Sequence, residues 1–143
     1  MATENLDNAI ERSHAAVSAI FGGNPEPAKT LFSDEDDITL GNPFGPFARG
    51  RGKVVEAFTA AATNYRDGEV TAVDLIANYV SNDLACVVEV EHGRAKVGGS
   101  DQMVTLALRV TSLFRFERGV WKLVHRHADP ITTPRSAASV ISE

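Results

Sequence analysis

A chain of 143 residues with 43% hydrophobic and 23% charged positions has the size and make-up of one globular domain with a real core. Its net charge is −5, and the sequence shows no sign of the clustered basic surface by which non-specific nucleic-acid binding usually announces itself. One cysteine excludes an internal disulfide, and no apolar run approaches the ~20 residues of a membrane span. The expectation is therefore a cytoplasmic protein with neither nucleic acid nor membrane as partner. Residues 1–9 lack the basic and then apolar pattern of a secretory leader.

In chain order, Leu6, Ile10, Val17, Ile20 and Phe21 recur at helical spacing, with Thr3 as the expected N-cap and Gly22-Gly23 as the stop. Pro25 or Pro27 opens a shorter helix that ends near Phe32. The acidic run Asp34–Asp37 reads as a solvated face and helix-end charge, and leads into the extended segment Ile38-Thr39-Leu40. Asn42, Pro43, Gly45, Pro46 and Gly50 mark a loop, after which Val54, Val55, Phe58 and Ala62 predict a third helix. Beyond Asp67-Gly68 the pattern turns to β. Strands are expected over 70–80, 84–96, 102–116 and 120–128, with turns at Asn82-Asp83, at 98–101 and at Arg118-Gly119. Residues 1–131 then form one α+β domain, and 132–143 a flexible tail.

Parity across the Arg118-Gly119 turn assigns strand faces. If Glu117 faces Val120, one face carries Phe116/Trp121, Phe114/Leu123, Ser112/His125, Val110/His127 and Leu108/Asp129. That row is apolar at one end and polar at the other, as expected of a ligand pocket. The opposite row carries Arg109, Thr111, Leu113, Val124, Arg126 and Ala128, and predicts a homodimer contact through the outer sheet face. Across the Asn82-Asp83 turn, Leu75, Ala77, Tyr79, Cys86, Val88 and Val90 share an apolar face that is taken as inward, with Glu89 and Glu91 opposite. Joining the two hairpins requires an odd loop or a bulge, for which Gly93 is a natural position; the side of His92 is left open.

Two stretches carry a family resemblance: Phe32 to Gly45, and Val110–Arg115 with Trp121–Pro130. Together with the order of elements they resemble the SnoaL-like branch of the nuclear transport factor 2-like superfamily. The resemblance implies a cone-shaped, curved antiparallel sheet wrapped around N-terminal helices, cystatin-like in outline. It also implies an apolar pocket for a small hydrophobic molecule. No cofactor is expected, and no metal, since His125 and His127, spaced i and i+2, lack an evident third ligand. Asn42 stands where related ketosteroid isomerases place a general-base aspartate before proline, and an amide cannot take a proton at neutral pH. His127-Ala-Asp129 is similar to the His-x-Asp of SnoaL-type cyclases. The resemblance therefore implies Asp129 as acid/base and His127 as its partner. Asn42, His125, Tyr79, Val110, Ser112, Phe114 and Trp121 are the expected ligand-binding residues. The alternative is a non-catalytic binding or dimerisation module, and the setting of Asp129, in an apolar cavity or paired with an arginine, separates the two.

Overall fold

The structure, a computed structural model, describes residues 3–142. Helix α1 spans Leu6–Phe21 and buries Ala9, Ser13, Ala16, Val17 and Phe21 on one stripe. Its N-cap is Asn5, not Thr3: the Asn5 side chain accepts a hydrogen bond from Asn8 N–H at 2.9 Å. Helix α2 spans Glu26–Leu31 and ends at Phe32, where the chain becomes extended. Helix α3 spans Arg51–Ala62. Its N-cap, Gly50, carries no side chain, and Asp36 from the acidic run supplies the cap by accepting from Arg51 N–H at 2.8 Å. The Arg51 guanidinium in turn donates to the carbonyls of Lys29, Phe32 and Ser33, satisfying the C-terminal end of α2.

Six strands form one curved, open sheet in the order β2-β1-β6-β5-β4-β3. They are β1 (Thr39–Gly41), β2 (Ala48–Arg49), β3 (Tyr65–Val80), β4 (Leu84–Val97), β5 (Met103–Glu117) and β6 (Val120–Asp129). All neighbours are antiparallel except β1 and β6. The tight turn at Arg118-Gly119 forms as expected, with φ of 51° and 86° at its two central residues and Glu117 facing Val120. Residue pairing also follows the Asn82-Asp83 turn as far as Ala77↔Val88. The short β2 has no counterpart among the expected strands, since two residues carry no periodicity. Within the last segment, Ala137–Val140 form one exposed 3₁₀ turn.

The inward face of β4 is the reverse of the expectation. Ala85, Val87, Glu89, Glu91, Gly93 and Ala95 face the helices and are buried, while Val88 and Val90 lie on the outer face with half-buried Cys86. β4 and β5 keep a single register from Leu84↔Arg115 to Lys96↔Met103, so no bulge separates them at Gly93. The irregularities lie in β3 instead, at Arg66/Glu69, Val70/Ala72 and Leu75/Ala77. Gly93 has another reason to lack a side chain: an added Cβ would lie 2.8 Å from the Phe21 ring and 2.7 Å from the Glu69 carbonyl. The same holds at Gly68, where a Cβ would meet the Phe21 carbonyl at 2.6 Å. These two glycines let the end of α1 settle against the sheet. His92 lies outward and contacts Asp74 at 2.9 Å.

Candidate functional site

One extra residue in β6 decides which side chains enter the interior. Glu117↔Val120 through Phe114↔Leu123 keep the expected register, but the next pair is Leu113↔His125, leaving Val124 as a bulge. Beyond it every face assignment is exchanged. Arg126 and Ala128 turn inward beside Ser112 and Val110, whereas His125, His127 and Asp129 turn outward beside Leu113, Thr111 and Arg109. Asp129 and His127 therefore do not face the pocket, and His125 does not line it. Val124 and Ala128, expected in the outer contact row, belong to the core.

On the outer face Asp129 is held by Arg109 Nε at 2.8 Å and by Ile131 N–H at 2.9 Å. Partial burial pushes its carboxyl up, but these two donors outweigh burial and hold it below the ordinary carboxylate range. His127 Nε2 stands 3.4 Å from Asp129, and His125 Nδ1 is 2.7 Å from Thr39 Oγ1. Burial, with nearby His127, holds the His125 imidazole below its usual range. The Phe47 ring covers the pair, 5.7 Å from His127 and 6.2 Å from His125. Gly41 leaves room for it, since a Cβ there would meet the Phe47 ring at 2.6 Å.

The interior holds a cavity of about 70 Å³ between the helices and the inner sheet face. A single water occupies ~10–15 Å³ on this measure, so the space holds about five such spheres. Its walls are apolar: Ala16, Ile20, Leu31, Phe58, Leu108 and Leu123 are typical. Three lining residues bring polar groups, namely Ser13, Tyr65 and Arg126. The Arg126 guanidinium is bound through both terminal nitrogens to Glu91, at 2.7 and 2.8 Å. Burial opposes charge on both partners. Their direct contact outweighs it, holding Glu91 below and Arg126 above the usual ranges, so both are ionised. Glu91 is fully enclosed, whereas Arg126 keeps 12% of its side-chain surface accessible.

Glu89, next inward on β4, bonds His14 Nε2 on α1 at 2.9 and 3.1 Å. That bond raises the His14 pKa, against the opposing effect of burial. Burial also raises the Tyr65 phenol, which is neutral at physiological pH. Ser112 Oγ lies fully buried with no protein partner among the described residues.

Of the other expected ligand-binding residues, Val110, Ser112 and Phe114 face inward but lie behind the cavity wall. Trp121 is core, its ring 5.2 Å from that of Phe116. Tyr79 is 65% exposed on the outer face. Asn42 sits in the loop, where its Oδ1 accepts from Phe44 N–H at 2.9 Å; Pro43 and Phe44, not Asn42, reach the cavity. The residues that sequence reasoning missed are Arg126, Glu91, Glu89, His14 and Tyr65. Glu89 and Glu91 did carry a signal, two carboxylates at spacing two within an apolar strand. Among the described residues no group of three or more His, Cys, Asp or Glu is placed to hold a metal ion, and no helix is long and apolar enough to cross a membrane.

The SnoaL-like domain family matches residues 8–132. No curated protein matches the chain. Among solved structures, a proposed dehydratase from the nuclear transport factor 2-like family of Streptomyces avermitilis superposes with a TM-score of 0.74 at 22% identity, covering 92% of this chain and 96% of that one. A ketosteroid isomerase-like protein from Erwinia carotovora atroseptica gives 0.72 at 19% identity, covering 91% and 98%. A nuclear transport factor 2-like superfamily protein from Salmonella enterica serovar Typhimurium gives 0.72 at 18% identity, covering 91% of both chains. At these identities the likeness is one of fold.

Proposed function

Since this chain belongs to the SnoaL-like domain family, we propose that it binds a small hydrophobic carbonyl compound in the interior cavity. The observation that carries the reading is Arg126: one charged group in an otherwise greasy wall, fixed by Glu91 yet still accessible. A guanidinium has five N–H donors, and Glu91 engages one on each terminal nitrogen, so three remain for a ligand oxygen. Glu91 already neutralises Arg126, and Glu89, bonded to His14, stands as a second carboxylate close by. An anionic ligand would bring a further negative charge into that enclosure, whereas a neutral carbonyl accepts a hydrogen bond without it.

The reading is binding before turnover. Ser13, Tyr65 and Arg126 are donors at neutral pH, and none is a ready proton acceptor. The carboxylate expected to move a proton, Asp129, is on the other side of the sheet in contact with Arg109. Cyclohexanone and cyclohexane, matched in size, test the proposal by amide chemical-shift titration. Cyclohexanone should perturb cavity residues and bind about tenfold more tightly than cyclohexane, the scale of one hydrogen bond to a charged group. Arg126→Lys, which keeps the charge beside Glu91 but loses the planar fork, should remove most of that preference. Equal binding of both probes would sink the polar anchor, and no perturbation of the cavity by either would sink the ligand site.

A second property has its own support. We infer that the outer sheet face joins two copies of the chain. Ile76 is 61% exposed and Tyr79 65%, and Val88, Val90 and Leu113 extend the same apolar surface toward Thr111 and His127.

A further inference from the structure

We propose that the ligand site has an outer half, a groove between the β1–β2 loop and α3, and that the Phe44 ring is the partition between the two halves. The proposal rests on the carbonyl-binding reading of the cavity and specifies its ligand as elongated: an oxygen-bearing head at Arg126 and an apolar tail that runs out past Phe44. The groove measures about 210 Å³ and is floored by Ala57, Ala60 and Ala61 of α3, with Asn42, Pro46 and Asn64 at its rim. Phe44 and Ala61 line both spaces, the groove on one side and the interior cavity on the other. Two voids that share a ring as a wall become one when the ring swings aside.

The partition is lightly held. Phe44 is 48% exposed. Its backbone N–H is tied to Asn42 Oδ1, and its ring lies 5.5 Å from that of Tyr65, its one aromatic neighbour among the described residues. Gly45 follows at the loop tip, where an added Cβ would meet nothing within 4 Å, so the loop has open space to move into. The size of the cavity points the same way. Ligand sites usually enclose about 300–1,000 Å³, and 70 Å³ alone admits only a head group. The α3 floor explains its own composition under this arrangement: three alanines within five positions keep the groove open, where larger side chains would fill it.

Cyclohexanone and 2-nonanone, compared on the intact protein by amide chemical shifts and by exchange kinetics, test the proposal. Cyclohexanone should perturb cavity residues alone, while 2-nonanone should also perturb Ala57, Ala60 and Asn64. Phe44→Ala, a change in an exposed loop, should raise the association and dissociation rates of cyclohexanone together by about tenfold. Phe44→Trp should slow both. If cyclohexanone binds but 2-nonanone is excluded or leaves the α3 residues unmoved, the outer half is wrong and the cavity reading stands. If the rates ignore Phe44, the ring is not the partition. If neither ketone perturbs the cavity, both readings fall.

Discussion

Arg126 and Glu91 stand on β6 and β4, with β5 between them, so their side chains meet by reaching across the inner face of a neighbouring strand. Two buried charges fixed by a bidentate contact are costly to separate. Glu91→Leu should destabilise the fold by about 3–5 kcal/mol in urea denaturation, because it strands a buried guanidinium. The double change Glu91→Leu with Arg126→Leu should recover most of that loss; equal instability of single and double variants would mean that packing, not charge, is responsible. His14 adds a pH dependence of opposite sense to that of the carboxylates. Its pKa is raised in the native state from 6.5 by Glu89, so its stabilising contribution is complete below about that value and fades as pH rises through the raised one. Glu91, held below its ordinary 4.5, contributes above that value and is lost as pH falls through the depressed one. Stability measured against pH should therefore decline as pH rises above about 6.5 in the native protein. A His14→Gln variant should show a flatter curve there, and an unchanged decline would remove His14 from the account.

Among the elements, β6 carries the most consequence for its length. Without Val124 as an unpaired residue, Asp129, His127 and His125 would point into the interior and Arg126 would lie outside. Deleting Val124 should therefore not be a local loss. It would turn a carboxylate and two imidazoles toward the core, strip Glu91 of its partner, and abolish cooperative unfolding in thermal denaturation; a deletion variant that unfolds cooperatively near the native midpoint would overturn the bulge as the determinant. The three irregularities in β3 act differently. That strand has a free outer edge along most of its 16 residues, and bulges interrupt the regular row of backbone groups that another chain would pair with.

For the molecule as a whole, the sheet has one face committed to α1, α2 and α3 and another left open. The open face joins Ile76, Tyr79, Val88, Val90 and Leu113, and the proposed pairing of two copies belongs here. Light scattering should give twice the chain mass at micromolar concentration, and Val88→Lys with Leu113→Lys should give a folded monomer. A native monomer at that concentration would contradict it. The same arrangement places Asp129, His127, Thr39 and Arg109 as polar groups beside the proposed contact surface, apart from the cavity.

The helices, the long strands and the tight turn at Arg118-Gly119 were determined by local sequence. Apolar spacing near 3.6 or 2, and two residues with positive φ, act over a few positions and need no knowledge of the rest. The family resemblance is likewise a property of short segments, from Phe32 to Gly45 and from Val110 to Pro130. Which face of each strand looks inward was not local. The apolar row of Cys86, Val88 and Val90 resembled a core, yet it is the outer face, because Glu89 finds His14 and Glu91 finds Arg126 inside. The partners that make burial of those carboxylates tolerable lie 75 and 35 positions away. A single unpaired residue at Val124 then reversed the parity on which the catalytic expectation for Asp129 and His127 rested. Periodicity is carried by neighbours along the chain. Register and charge compensation are carried by residues that meet only when the sheet has formed, and at those points the tertiary structure alone decided.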